Sequence, residues 1–227
     1  MSSPLAQYLS QNPNPNAGFI AYLASLEQVA SVSPEITKSI IAELADQRSN
    51  LKMIASENYC SLPTQLAMGN LLTDKYAEGI PNHRFYAGCD NIDDIESHAA
   101  KLACDLFGAH HAYVQPHSGA DANMVAFWAI LSARVQDTHL AKMNKKSAFD
   151  LSDSEWAELR ASLGNQRLLG LDLASGGHLT HGYRVNVSGR MFESHAYTVS
   201  KETGLLDYDQ IRAQAHEVKP LILLAGY

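Results

Sequence analysis

The run Val-Gln-Pro-His-Ser-Gly-Ala-Asp-Ala-Asn at residues 114–123 holds Ser118, Gly119 and Ala120, the residues whose type and spacing first suggest chemistry. Upstream, Ala112-Tyr-Val114 suits a short buried strand; downstream, Ala122, Val125, Ala126, Ala129, Ile130 and Ala133 recur at helical spacing. The backbone is therefore expected to turn from strand to helix at His117-Ser118-Gly119. A helix start has unpaired N–H groups and the positive end of the aligned peptide dipoles, so a phosphate could dock against Ser118, Gly119 and Ala120. Gly119 allows the close backbone approach that such a cradle needs. The same residues also fit an ordinary serine N-cap after a strand.

Two further stretches carry reactive groups. Ala-Ser-Gly-Gly-His-Leu-Thr-His-Gly at 174–182 sets His178 and His181 three apart, which invites a metal reading and with it a metal hydrolase. No further Cys, Asp or Glu stands at ligand spacing nearby, so no metal site is assigned. Residues 75–89 have no sustained period but are dense in ionisable and aromatic side chains, interrupted by Gly79, Pro81 and Gly88. That composition marks a functional loop.

The elements that must position these groups follow from pattern. Residues 1–18 carry repeated Asn, Pro and Ser without a helical or strand period and read as a mobile arm. Phe19, Tyr22, Leu23 and Leu26 mark a helical face, and Pro34 opens a second helix with Ile36, Ile40, Ile41 and Leu44 inward. Pro63 starts another, in which Leu66, Leu71 and Leu72 can pack. Residues 90–107 form the clearest helix, with Ile92, Ile95, Ala99, Leu102 and Leu106 in one stripe, acidic residues at its start and Gly108 as C-cap. Residues 140–164 read as a polar surface insertion without chemistry. Strands are expected near 166–173 and 197–199, a helix over 209–218, and a buried strand over 220–227. Such alternation implies an α/β domain with a mainly parallel sheet flanked by helices. The expected organisation is the arm at 1–18, a helical N-terminal segment with its active-site loop at 19–89, and the first part of a larger α/β domain at 90–227. A chain stopping on a buried strand is expected to be the front part of a longer protein.

The 227 residues are 46% hydrophobic, enough for a sizeable core. A net charge of -7 argues against nucleic-acid or membrane surfaces and favours small-molecule partners. Cys60, Cys89 and Cys104 are few and irregularly spaced, as in a reducing compartment, and no leader or bilayer-length apolar run is seen, so a cytoplasmic location is expected.

Several stretches together resemble serine hydroxymethyltransferases, pyridoxal-phosphate enzymes of the aspartate-aminotransferase-like fold, type I. They are Leu-Lys-Met-Ile-Ala-Ser-Glu-Asn-Tyr at 51–59, Lys-Tyr-Ala-Glu-Gly at 75–79, Arg-Phe-Tyr-Ala-Gly-Cys at 84–89, Val-Gln-Pro-His-Ser-Gly at 114–119 and Gly-Gly-His-Leu-Thr-His-Gly at 176–182, in the family's order. The resemblance implies that serine and tetrahydrofolate are reversibly converted to glycine and 5,10-methylenetetrahydrofolate, with amino-acid racemisation as a side activity. It also implies a homodimer or homotetramer with shared active sites. Ser118, Gly119 and Ala120 would hold the cofactor phosphate, with Tyr76 reaching it from the neighbouring subunit, and His178 would stack on the pyridine ring. Ser56 and Tyr86 would place the substrate, and Glu78 would act as acid/base from a dry pocket that raises its pKa. Leu173, Gly177, His178, Leu179 and Phe85 match positions that line the folate site.

Some positions depart from the family pattern. Ala120 stands where a serine is common, Phe85 where a tyrosine is common and Ser175 where a histidine is often found, while Asp121 adds negative charge near the phosphate turn. The family's Schiff-base lysine lies in a Thr-rich segment that has no match here, so the piece alone is expected neither to hold the cofactor well nor to turn over. Glu78 also fits an exposed loop carboxylate paired with Lys75 or Arg84. A different class of reading is a non-catalytic assembly fragment using the same sheet and arm.

Overall fold

A computed structural model describes residues 3–226, so Met1 and Ser2 of the arm and Tyr227 of the last expected strand lie outside the described residues. The chain divides into two units between Ser97 and His98.

The first unit opens with α1 (Pro4–Gln11), α2 (Ala17–Val32) and α3 (Pro34–Ser49). Residues 1–18 showed no period, yet α1 forms inside them. Ser3 caps it by accepting the Ala6 N–H, and Pro4 sits in the first turn, where its missing N–H loses nothing. Tyr8 meets Phe19 of α2 edge to face at 4.7 Å, and the Leu5 N–H donates to Glu27 at 2.7 Å. The stripe Ile36, Ile40, Ile41 and Leu44, expected inward, is exposed, and no residue of α3 is buried. Helical spacing identifies an apolar face but not what covers it. The short α4 (Leu62–Met68) is capped by Ser61, and Leu66 and Leu71 are likewise exposed.

The loop that follows contains a small antiparallel hairpin, β1 (Gly79–Ile80) and β2 (His83–Arg84), turning at Asn82 with φ 63. Gly79 is required there: at φ 108, an added Cβ would stand 2.3 Å from the His83 carbonyl oxygen. Then comes α5 (Asp90–Phe107), with the expected bounds and with Gly108 at φ 62 beyond its end, although Ile95, Leu102 and Leu106 of its stripe are exposed.

In the second unit, α6 (Gly119–Leu131) runs through a π-helical turn at Ser132–Gln136 into α7 (Asp137–Lys142). The segment before α6 has no regular structure, and Ala112-Tyr-Val114 pairs with no strand among the described residues, contrary to expectation. On α6 the buried residues are Phe127 and Leu131, whereas Ala122, Val125, Ala126 and Ala129 are exposed. The helix is apolar nearly all round, so spacing alone could not select the face. The helix α8 (Asp153–Leu163) starts with a capping box between Ser152 and Glu155. Polar as its segment reads, Leu140 and Leu159 turn inside.

The sheet is parallel with β3 (Arg167–Leu171) central, β4 (Glu193–Tyr197) beside it and β5 (Ile222–Leu223) on the other edge. Between them lie α9 (Val187–Met191) and α10 (Tyr208–Val218). Leu168 of β3 packs with Phe127, Leu131, Phe192 and Ile222, while Leu169 and Leu171 pack with Tyr197 and, on α10, Ile211 and Ala215. The central strand is thus buried on both faces, as parallel sheets are, and each such leucine contributes about 1.5–3 kcal/mol. The expected buried strand over 220–227 shrinks to Ile222–Leu223, with Leu223 exposed, because it is an edge strand. Among the described residues no helix is long and apolar enough to cross a membrane.

Candidate functional site

The α6 N-terminus is built as its sequence suggests. Ser118 is extended (φ -152, ψ 164) and its hydroxyl accepts the Asp121 N–H at 3.0 Å. Its carbonyl accepts the Ala122 N–H at 3.0 Å. A Cβ added at Gly119 would meet nothing within 4 Å, so open space adjoins the first turn. The Asp121 carboxylate complements the dipole in that turn.

The strand β3 delivers the second group. Beyond it the backbone folds back tightly: the Gly177 N–H donates to the Asp172 carbonyl at 2.9 Å, and Gly177 itself is buried. A Cβ there would stand 2.0 Å from the Leu171 carbonyl oxygen, so only glycine fits. Leu173, Gly177, His178 and Leu179 therefore share one loop, with Leu173, His178 and Leu179 exposed. His178 starts the short 3-10 turn Leu179–His181, its Nδ1 accepting the Thr180 N–H at 3.2 Å and lying 2.8 Å from the Thr180 hydroxyl. The Asn123 amide of α6 donates to that same hydroxyl at 2.7 Å. The loop of His178 is thereby tied to the first turns of the helix that Ser118 and Gly119 begin.

His181 lies behind His178, ring centroids 6.3 Å apart. Burial, helped by the neighbouring His178, pushes its pKa below the ordinary histidine value, while the Leu171 carbonyl opposes the shift. Its Nδ1 is buried with no hydrogen-bond partner among the described residues. Both rings line a cleft of about 150 Å³ together with Asp172, Tyr183, Arg184 and His195. Among the described residues no three His, Cys, Asp or Glu side chains come together as metal ligands, and His178 Nδ1 is already engaged.

In the first unit, the rings of Tyr76 and Tyr86 meet edge to face at 5.4 Å, both largely exposed. Glu78 has an exposed side chain, without the dry pocket expected of an acid, and its carbonyl accepts the Phe85 N–H at 3.1 Å. Phe85 is exposed, and Ser56 sits in an exposed turn. Arg84 does not pair with Glu78. It donates to Asp93 at 2.8 Å and Glu96 at 2.6 Å, and to the carbonyls of Ala77 and Gly79 at 2.8 Å each. Glu96 first, then Asp93, raise its pKa. The Asn82 N–H, then Arg84, hold Asp93 below the usual carboxylate range. Arg84 thus fixes the hairpin between Tyr76 and Tyr86. The sequence marked neither this role nor those of Asn123 and Thr180, although Thr180 stands inside the His178–His181 motif.

The serine hydroxymethyltransferase family model matches residues 29–155 and 156–227. Across the whole chain, 60% of residues are identical to a serine hydroxymethyltransferase of Treponema pallidum, covering 40% of that protein. The Mycolicibacterium smegmatis serine hydroxymethyltransferase is 57% identical over 91% of the chain and 42% of its own length. The one from Chlamydia trachomatis is 48% identical over the whole chain and 46% of its own length. The chain spans less than half the length of these relatives. With a family model matched from residue 29 onward and such identities along its length, the chain belongs to the serine hydroxymethyltransferase family.

Proposed function

We propose that this chain, completed to the length of its relatives, works as a pyridoxal-phosphate enzyme of fold type I that reversibly converts serine and tetrahydrofolate to glycine and 5,10-methylenetetrahydrofolate. The observation that carries this reading is the Asn123–Thr180–His178 contact, which ties an exposed imidazole to the helix whose N-terminus can take a phosphate. The residues fit the cofactor: the space beside Gly119, which a Cβ would fill, adjoins N–H groups with no intrahelical partner. When bound, the cofactor supplies an electron sink for the pair released at the substrate Cα.

The chain's own residues have distinct tasks. Ser118, Gly119 and Ala120 bind the phosphate, aided by Tyr76 of a neighbouring subunit, and His178 lies on the ring. Asp121 weakens that hold by adding negative charge nearby, and Ala120 by lacking a hydroxyl. Tyr86 and Ser56 orient the substrate carboxylate. Glu78 moves the proton at the serine hydroxyl, which requires that a second subunit shield a side chain exposed in the single chain. Leu173, Gly177, Leu179 and Phe85 line the folate site. The exposed stripes of α3 and α5 support association into a homodimer or homotetramer, and the net charge of -7 with few cysteines supports a cytoplasmic location.

The test joins residues 1–227 to the remaining part of the Treponema pallidum relative and measures glycine formation from serine with tetrahydrofolate. Turnover is expected with bound pyridoxal phosphate, and Glu78→Gln is expected to keep the cofactor but lose serine cleavage. A folded, cofactor-loaded chimera without turnover would overturn the reading.

A further inference from the structure

The Thr180 hydroxyl is buried (residue 1% exposed) between two side chains from different elements, Asn123 at 2.7 Å and His178 Nδ1 at 2.8 Å. Such a chain of three groups can run in either of two senses. With the Asn123 amide nitrogen donating, the hydroxyl accepts, and its own hydrogen goes to His178 Nδ1. With the Asn123 oxygen turned inward instead, the hydroxyl would give its hydrogen to Asn123 and accept one from a protonated Nδ1. The backbone decides between them. The Thr180 N–H, whose direction the chain fixes, points at the same Nδ1 at 3.2 Å, and an N–H can be received only by a bare lone pair. Only the first sense satisfies all three groups.

We infer that Asn123 and Thr180 are positioning residues that hold His178 in the tautomer with its proton on Nε2, its ring plane fixed by two bonds into Nδ1. The inference rests on the reading of His178 as the ring that lies on the cofactor and deepens it. A neutral imidazole locked in orientation can stack on an electron-poor ring without the repulsion an imidazolium would bring. Because Asn123 lies one turn beyond Gly119, the helix that takes the phosphate also orients the ring.

The test is nitrogen NMR of the chain with ¹⁵N-labelled histidines and no cofactor, above the ordinary histidine titration range, with His178 assigned by its loss in His178→Gln. The expected wild-type spectrum has Nδ1 bare and Nε2 protonated. Thr180→Ser keeps the hydroxyl and is expected to retain it. Asn123→Asp can only accept, so it draws the hydroxyl hydrogen away and is expected to raise the Nδ1-protonated fraction several-fold. A wild-type spectrum with Nδ1 protonated, or an Asn123→Asp spectrum like the wild type, would overturn the inference. The wild-type spectrum decides even if a variant does not fold. Since no cofactor is present, an inactive chimera with the Nε2–H tautomer in place sinks only the functional reading.

Discussion

Arg84 donates to the Glu96 carboxylate at 2.6 Å, with the two side chains 5% and 15% exposed. The same guanidinium reaches Asp93 and two backbone carbonyls, a fork of bonds that a lysine point charge cannot reproduce. Arg84→Ala would leave two carboxylates facing each other without a cation, and Arg84→Lys would restore only part of the set. The expected outcome is faster amide exchange at Asn82 and Phe85, whose N–H groups bond to Asp93 and Glu78, with the β3 amides unchanged. Asp93 adds an acid dependence. Its pKa is depressed in the folded chain, so its contribution is full above the ordinary carboxylate range and disappears as pH falls through the folded value. Protection of the Asn82 amide, measured relative to its intrinsic exchange rate at each pH, should fall on acidification in the wild type and be already low in Asp93→Ala.

Gly177→Ala tests the turn that aims His178. The new Cβ would press on the Leu171 carbonyl oxygen at 2.0 Å and its carbon at 2.7 Å, both backbone atoms of the central strand that cannot swing away. Overpacking a core usually costs 1–3 kcal/mol, and because every atom in the way is backbone, of Leu171 and Asp172, the loss here should be about 3 kcal/mol or more. Urea unfolding followed by circular dichroism should show the midpoint falling accordingly. Gly204→Ala, where an added Cβ meets nothing within 4 Å, should lose only the strain of its φ of 69.

The α5 bounds and its glycine cap are local properties, and the spacing of apolar and acidic residues foretold them. Which face of a helix is covered is not local: α6 buries Phe127 and Leu131, not the alanines whose helical spacing foretold the helix. The Ala112-Tyr-Val114 stretch has strand-like residues but, among the described residues, no neighbour to pair with. At the site, Ser118-Gly119 and the His178 loop were legible as motifs. The Asn123–Thr180 bond joins residues 57 positions apart, and no spacing within either motif implies it. Arg84 was visible as a cation, but its partners lie on the next helix rather than beside it in the loop.

His181 predicts a pH effect of the same sign as that of Asp93, but over the histidine rather than the carboxylate range. Burial and His178 depress its pKa from the ordinary 6.5, so below that value the unfolded chain binds a proton that the folded chain refuses. Stability should therefore fall as pH drops through the unfolded value and level off once the folded value is passed. The other ionisable groups of the cleft, Asp172, His178, Tyr183, Arg184 and His195, remain in a His181→Gln variant, so the difference between the two proteins reports this histidine together with its coupling to His178. Urea midpoints measured across that range should decline more steeply for the wild type than for the variant. Parallel slopes would mean that His181 takes up its proton as readily folded as unfolded.

Gly119 separates binding from stability. Its added Cβ would meet no protein atom, and alanine loses less backbone freedom than glycine on entering a helix, so Gly119→Ala should leave stability unchanged or raise it by up to about 1 kcal/mol. The same methyl would occupy the space beside the first-turn N–H groups. If a phosphate docks there, losing one charge-assisted hydrogen bond lowers affinity about tenfold or more. Ser118→Ala should behave differently, because its hydroxyl caps Asp121: stability should drop by about 1 kcal/mol. Pyridoxal phosphate binding to the chimera, followed by absorbance alongside thermal unfolding, distinguishes the two. A Gly119→Ala protein that is as stable as the wild type and binds the cofactor equally well would show that the phosphate sits elsewhere.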